Sequence, residues 1–256
     1  MRLYAELFGD HTAQTPMVLI HGFGGSAAAW NSVRSFLPAT MPLIVYDLPG
    51  HRHSVNAEGS GGAGRMAKAL LADLDARGIG QFHLAGHSMG GAVATLIALR
   101  AGDRVGSLTL FAPGGMGPEI DAAGLKAFAR AETAEAIRAE MQTMVANGFH
   151  VPEELINSIV AERQQVGAKE ALLSVYAAMF ASEGAAEQGA IPRDMLASIT
   201  KPAAVYWGDL DPTLPVSQMA RMPENFEKTT ISGVGHMLLD ECPERVAHAL
   251  ISAFGR

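Results

Sequence analysis

Ser88 stands at the centre of Gly86-His87-Ser88-Met89-Gly90, a G-x-S-x-G pentapeptide. A serine hydroxyl is a weak nucleophile near neutral pH. Chemistry at Ser88 therefore needs a base within hydrogen-bond reach and an acceptor that fixes the base's tautomer. Among nine histidines, His236 is the candidate base, in a loop opened by Gly235. The candidate acceptor lies in Gly208-Asp209-Leu210-Asp211-Pro212. Pro212 and Pro215 stiffen the turn after Asp211 and favour it, with Asp209 as the alternative. An attacked carbonyl also needs donors for the negative oxygen it develops. The amides of Phe23, in the turn His21-Gly22-Phe23-Gly24-Gly25, and of Met89, directly after the serine, are the candidates. Singly, an Asp beside Pro is a turn former and a loop histidine is a solvated side chain. The order Ser, Asp, His, each after its own strand-like run, carries the catalytic reading.

The chain must contain elements that bring these residues to one place. Residues 82–85 are an apolar run of strand length, and 89–100 an Ala- and Leu-rich run suited to a buried helix. A strand that becomes a helix within one or two residues strains the residue between them. Glycines two positions either side permit the close approach this turn demands. The serine hydroxyl then projects from the sheet end beside the positive end of a helix. The other segments follow the same alternation. Strands are predicted at 17–20, 43–46, 107–111, 203–207 and 229–231, with an edge strand within 2–8. Helices are predicted at 27–37, stopped by Pro38, at 65–77, and at 243–254 with Pro243 in its first turn. The expected fold is α/β, a mainly parallel sheet with helices on both faces, in which loops after strand C-termini converge on one edge.

Between residues 119 and 190 the strand-like runs disappear. Helical segments at 121–130, 134–146, 152–166 and 169–181 predict a helical cap inserted into a core made of 1–118 and 191–256. Acidic residues outnumber basic ones in this block, which suits outward-facing charged surfaces. Met141, Met144, Tyr176, Met179 and Phe180, with Phe149, are candidates to line its underside against substrate. For each of them, packing within the cap is the competing reading.

Composition removes several other functions. A chain of 256 residues suits one large domain. A formal net charge of -7 leaves no basic footprint for nucleic acid or an anionic membrane surface. The single cysteine, Cys242, permits no intrachain disulfide and suits a reducing compartment. The opening MRLYAELFGDH has no apolar core of signal-peptide length, so a cytoplasmic protein is expected. Residues 78–99 lack Asp, Glu, Lys and Arg over a membrane-spanning length, but their glycines, His83, His87 and Ser88 predict a buried strand-turn-helix unit and no membrane span. His21, His51, His53, His83 and His87 form no short-spaced ligand set, and HGFGG lacks the Lys-Ser/Thr pair of a phosphate loop. Neither a metal nor another cofactor is expected, and a small-molecule acyl substrate is the expected partner.

HGFGG, DLPGH, GHSMGG, GDLDPTLP and GHMLLDECPE, in this order, resemble the α/β-hydrolase superfamily over nearly the whole chain. The resemblance implies the α/β-hydrolase fold, with Ser88 as nucleophile, His236 as general base and acid, Asp211 as its orienter, and Phe23 and Met89 as oxyanion donors. More narrowly, HGFGGSAAAW, AGHSMGGAVA and APGGMGPEI resemble the hydrolase-like C-terminal region of acetoin dehydrogenase acyltransferase subunits. Related C–C hydrolases and esterases share similar phrases. Those acyltransferase subunits carry an N-terminal lipoyl domain, so lipoyl-linked transfer here would need a carrier on a separate chain. The superfamily often reads D-x-P-G-H-G-x-S, whereas Arg52 takes the place of the second glycine here, and a solvent-facing arginine is expected. The resulting expectation is a cofactor-free serine hydrolase that cleaves a small to medium apolar ester or thioester through an acyl-enzyme. Acyl transfer to a thiol acceptor and hydrolysis of a C–C bond in a dicarbonyl compound would reuse the same residues. A catalytically silent binding module is the alternative from another class.

Overall fold

A computed structural model describes residues 2–10, 14–180, 182 and 184–255. Strands β1 (Ala5–Phe8), β2 (Met17–Ile20), β3 (Leu43–Tyr46), β4 (Phe82–His87), β5 (Val105–Phe111), β6 (Ala203–Gly208) and β7 (Phe226–Ile231) form one sheet in the order β1-β3-β2-β4-β5-β6-β7. β1 runs antiparallel to β3, and the other pairings are parallel. β2, β3 and β4 are buried at every position, and helices cover both of their faces, which explains the unbroken runs MVLI and LIVY of β2 and β3. β7 starts at Phe226, earlier than the expected Thr229. Glu227 and Lys228 belong to it, and charged residues are tolerated there because β7 is an edge.

The sheet order reverses direction at β2. The connection from β2 to β3 passes through α1 (Asn31–Arg34) and crosses the sheet one way. The connection from β3 to β4 passes through α2 (Ala63–Ala76) and crosses it the other way. Right-handed crossovers in opposite directions put the two helices on opposite faces. α2 packs with α3 (Met89–Arg100), which is buried on most sides, and α1 packs with α10 (Pro243–Phe254). The expected helix at 27–37 is shorter, a 3₁₀ turn at Ala27–Trp30 that buries Trp30, followed by α1.

The segment between β5 and β6 holds α4 (Ala122–Arg130), α5 (Ala134–Gln142), α6 (Glu153–Arg163), α7 (Ala168–Ala177) and the short α8 (Arg193–Ala197). The Asp121 carboxylate accepts from the Gly124 amide at 3.0 Å and caps α4. Thr133 Oγ1 accepts from the Ala136 amide at 3.2 Å and caps α5. α5 stops at Gln142 rather than at Ala146, because the next residues turn away to bond the loop that carries His236. The expected end of the last helix in this block, Ala181, lies outside the described residues. A four-residue helix, α9 (Leu238–Glu241), precedes α10. The uncharged stretch 78–99 is β4 and most of α3, and no helix among the described residues is long and apolar enough to cross a membrane.

Candidate active site

Ser88 lies between β4 and α3 with φ 54° and ψ -122°, a positive φ that side chains rarely adopt. The chain holds it there by close packing on both sides. A β-carbon on Gly86 would meet the Gly90 carbonyl oxygen at 2.3 Å, and one on Gly90 would meet the Ile20 and His21 carbonyl oxygens at 2.4 Å. Both glycines are thus required by space. The Ser88 amide donates to the Phe111 carbonyl at 3.0 Å, which ties the turn to β5.

His236 follows β7, and its Nε2 lies 2.9 Å from Ser88 Oγ. Its Nδ1 lies 2.8 Å from Asp211 Oδ2, in the loop after β6. The same Asp211 oxygen accepts from Trp207 Nε1 at 3.0 Å, while Oδ1 accepts from the Thr213 and Leu214 amides at 2.9 and 2.8 Å. Every polar neighbour of this carboxylate donates to it, which fixes its orientation. Nδ1–H of a neutral His236 then points at Asp211, and the Nε2 lone pair faces the Ser88 hydroxyl. The alternative, Asp209, bonds the Gly233 amide at 2.7 Å and Ser232 Oγ at 3.0 Å in an exposed turn, away from His236. The structure therefore brings together Ser88, His236 and Asp211. Such a chain can pass a proton from Ser88 to His236 as Ser88 attacks a carbonyl.

Two histidines shape the glycine-rich turn beside Ser88. His21 Nδ1–H donates to the Gly22 carbonyl at 2.7 Å, and its Nε2 accepts from the Leu48 amide at 2.9 Å. His51, in the other motif, accepts the Gly24 amide on its Nε2 at 3.1 Å. Each loop thus bonds the backbone of the other. Both rings are buried and accept on one nitrogen, and burial lowers their pKa values to about 3 and about 4. A β-carbon on Gly22 would stand 3.1 Å from Ser88 Cβ, so the turn lies directly against the serine. Phe23 and Met89 line a cavity together with Ser88, and neither of their amides donates to another described residue. Met89 opens α3, where the first amides have no partner within the helix. His87 is the residue before the serine. Its Nε2–H donates to the His236 carbonyl at 2.8 Å, and burial followed by the nearby His236 lowers its pKa to about 3.

Ser88 and His236 open onto a narrow cavity of about 60 Å³, walled by apolar side chains that include Leu125, Phe128, Met141, Met144 and Ile159. A second cavity of about 330 Å³ opens on the Met89 side of Ser88, lined by Met89, Leu96, Ile120 and Met179. Met141 and Met144 thus reach the first cavity and Met179 the second. Tyr176 and Phe180 line neither. The Tyr176 ring packs at 6.3 Å from Phe23 and 4.8 Å from Phe180, with its hydroxyl bonded to the Ala122 carbonyl, so both rings support the wall from behind. Among the described residues no group of three or more His, Cys, Asp or Glu side chains comes together as a metal site would require.

Arg52, expected to face solvent, is half-buried instead. It takes φ 39° and donates through Nη1 to Glu162 Oε1 at 3.1 Å and to Ser26 Oγ at 3.2 Å. Glu162, on α6, also accepts from Ser26 Oγ at 2.9 Å, and burial raises its pKa in spite of these donors. Sequence reasoning missed Glu162 because a charged residue on a polar helix gives no sign of being turned inward. It also missed Asp240 and Glu241. Asp240 stands four residues after His236, a spacing that a one-turn helix converts into proximity.

Residues 17–249 match the profile of the alpha/beta hydrolase family. The chain belongs to that family. This alpha/beta hydrolase is 34% identical over 96% of its length to the dihydrolipoyllysine-residue acetyltransferase component of the acetoin cleaving system of Pseudomonas putida, and it spans 65% of that protein's length. It is 29% identical to a 2-hydroxy-6-oxononadienedioate/2-hydroxy-6-oxononatrienedioate hydrolase of Burkholderia vietnamiensis, over 88% of this chain and 80% of that one. Among solved structures, a thermophilic esterase from Thermogutta terrifontis superposes with a TM-score of 0.76 at 26% identity, covering 98% of this chain and 92% of the esterase. As a member of a hydrolase family with hydrolase and esterase relatives, the hydrolase is an enzyme.

Proposed function

We propose that this enzyme hydrolyses a small ester or thioester, its acyl group held between largely apolar walls, through an acyl-enzyme on Ser88. The observation that carries the reading is the continuous hydrogen-bonded chain from Ser88 Oγ to His236 to Asp211 at 2.9 and 2.8 Å. In this reading Ser88 attacks the carbonyl while His236 Nε2 takes its proton, and the Asp211 carboxylate steadies the imidazolium. The amides of Phe23 and Met89 hold the negative oxygen of the tetrahedral intermediate. His236 returns its proton to the leaving group, then draws one from water, which attacks the acyl carbonyl and frees Ser88.

The block 119–190 acts in this reading as a cap. Its helices supply Leu125, Met141 and Ile159 to the cavity wall, so the acyl group is enclosed between cap and sheet. At roughly 10–15 Å³ for each water-sized position, a cavity of about 60 Å³ suits an acyl chain of two to four carbons, at the short end of the expected range. The larger cavity on the Met89 side would receive the leaving group.

A specific likeness favours a second reading, acyl transfer to a thiol. It is the 34% identity to an acetyltransferase component whose length this chain spans by 65%. Transfer would use the same acyl-enzyme, with a thiol in place of water. The test is turnover of p-nitrophenyl esters of two to twelve acyl carbons, and of acetyl-CoA, with and without dihydrolipoamide as acceptor. Short esters should turn over fastest, and Ser88→Ala should lose about 10⁵–10⁶-fold in kcat. Wild type and Ser88→Ala equally inactive throughout would overturn hydrolysis. Formation of acetyl-dihydrolipoamide faster than hydrolysis would put transfer first.

A further inference from the structure

The narrow cavity has one feature at odds with its apolar walls. Asp240, on α9 one turn beyond His236, lines it together with Ser88 and His236. The backbone amide of Asp240 is used by the Met237 carbonyl, but its carboxylate has neither a hydrogen-bond nor an ion-pair partner among the described residues. The other carboxylate in the cavity, Glu162, is held by Ser26 and Arg52. No arginine or lysine lines the cavity. Asp240 is half-buried, so its carboxylate, with no protein partner, is compensated by solvent alone at the edge of a largely apolar cavity.

We propose that Asp240 is a specificity-determining residue that selects acyl groups bearing a short-chain ammonium over their neutral isosteres and rejects anionic ones. The inference rests on the reading of this cavity as the acyl site. An ammonium at the end of a two- or three-carbon acyl chain would complete the missing ion pair, whereas a carboxylate or sulfonate would add a second negative charge in a low-dielectric space. Burial, and then the neighbouring Glu241, raise the pKa of Asp240 to about 7, so its charge changes within the working range of the assay. The groups on the elements around it do not neutralise it. Arg34 on α1 is bonded to Asn31 and paired with Glu6. Glu241 shares the charge of Asp240, α10 adds Glu244 and Arg245 in its first turn, and His87, His236 and Glu162 occupy the rest of the cavity.

The experiment compares p-nitrophenyl esters of butanoate, 3-aminopropanoate and 3-sulfopropanoate, which place a methyl, an ammonium and a sulfonate at about the same distance from the carbonyl. The readout is the ratio of kcat/KM for each charged ester to that for butanoate, which cancels any pH effect on the chemical steps the esters share. The ammonium ratio should be about tenfold higher in wild type than in Asp240→Asn at pH 8, and the sulfonate ratio about tenfold lower. Because the ionised form attracts the cation, the ammonium ratio should rise with pH through about 7 and level off, and the sulfonate ratio should fall. Both profiles should be flat in Asp240→Asn. Calorimetric binding of 3-aminopropanamide and butanamide to Ser88→Ala reads the same preference without turnover. Equal ratios in wild type and Asp240→Asn, or equal binding of the two amides, would overturn the proposal. If Ser88→Ala abolishes hydrolysis while the ratios are equal, the acyl-enzyme reading stands and the role of Asp240 fails alone.

Discussion

The backbone amide of His236 donates to the carbonyl of Met144 at 2.8 Å. The loop that carries the candidate base is thereby bonded to the inserted helical segment as well as to the sheet. Glu241 strengthens the join. Its Oε2 accepts from Gly235 at 2.8 Å and from Ala146 at 2.9 Å, and its Oε1 accepts from Met237 at 3.0 Å. One carboxylate thus holds both sides of His236 and the chain that covers it.

Glu241→Gln should therefore damage stability and turnover together. The amide keeps one acceptor but aims an NH₂ at backbone donors. At best its oxygen keeps two of the three amides without the charge while the NH₂ faces the third, and the expected loss is about 2–4 kcal/mol in urea unfolding. Because His236 loses its fixed position, kcat should fall by about 10–100-fold with KM changed much less. A variant that loses stability but keeps full kcat would show that the clamp does not position His236.

Asp211→Asn tests the orienter. Asparagine can still accept from Thr213 and Leu214 through its oxygen, so the loop should fold. Its NH₂ would then face His236 Nδ1 and favour the wrong tautomer, with an expected loss of about 10⁴ in kcat. Asp209→Asn should leave kcat within about twofold, since Asp209 bonds only the Ser232–Gly233 turn. A loss confined to Asp209→Asn would reverse the assignment.

The residues of this chain that were legible in the sequence are those whose local backbone demands are severe. Gly86 and Gly90 announce the strand-to-helix turn because no β-carbon fits there. Strands buried on both faces announce themselves as short apolar runs. Asp211 and His236 follow from the rule that loops after parallel strands share an edge. Asp240, Glu162 and Glu241 were not legible, because their roles depend on tertiary facing rather than local pattern. The termination of α5 at Gln142 belongs to the same class. Nothing in Thr143, Met144, Val145 and Ala146 forbids a helix by residue type, and only the bonds to His236 and Glu241 draw them out of it. Arg52 was misread for a similar reason, its partner Glu162 being 110 residues away in sequence.

Acid should destabilise the fold before the carboxylates are protonated in bulk. His21, His51 and His87 have pKa values lowered to about 3, 4 and 3 from the ordinary 6.5. The unfolded chain therefore binds protons at these rings that the folded chain refuses, and stability falls as pH drops below about 6.5. At pH 5 each ring costs about 2 kcal/mol. Asp240, raised to about 7, takes up a proton in the folded state over the same range and offsets roughly one histidine's share. The net loss between pH 7.5 and pH 5 should be about 3–4 kcal/mol in urea unfolding. His51→Gln, which can still accept from Gly24 but does not titrate, should make the dependence shallower. An unchanged slope would mean that His51 is not held neutral.

Arg52→Gly sets two effects against each other. Glycine removes the strain of a side chain at φ 39°, worth about 1–2 kcal/mol, less about 0.4–1 kcal/mol for the freer unfolded chain. It also strips the cation from Glu162, whose side chain is 7% exposed against 27% for Arg52. Breaking a fully buried pair costs about 3–5 kcal/mol, and the partial exposure of Arg52 brings this to about 2–3. The variant should therefore be less stable by about 1–2 kcal/mol near pH 8. The pH dependence separates the two terms. Arg52 lowers the pKa of Glu162, which burial has raised, so its removal raises that pKa further. A carboxyl whose folded pKa lies above its unfolded value is tolerated when protonated and opposes folding as pH rises through the folded pKa. The deficit of Arg52→Gly should accordingly shrink at pH 5 and grow toward pH 8, whereas relief of backbone strain is independent of pH. Urea unfolding of wild type and variant at the two pH values measures both. A variant more stable than wild type at both would mean that backbone strain, rather than the pair with Glu162, dominates at Arg52.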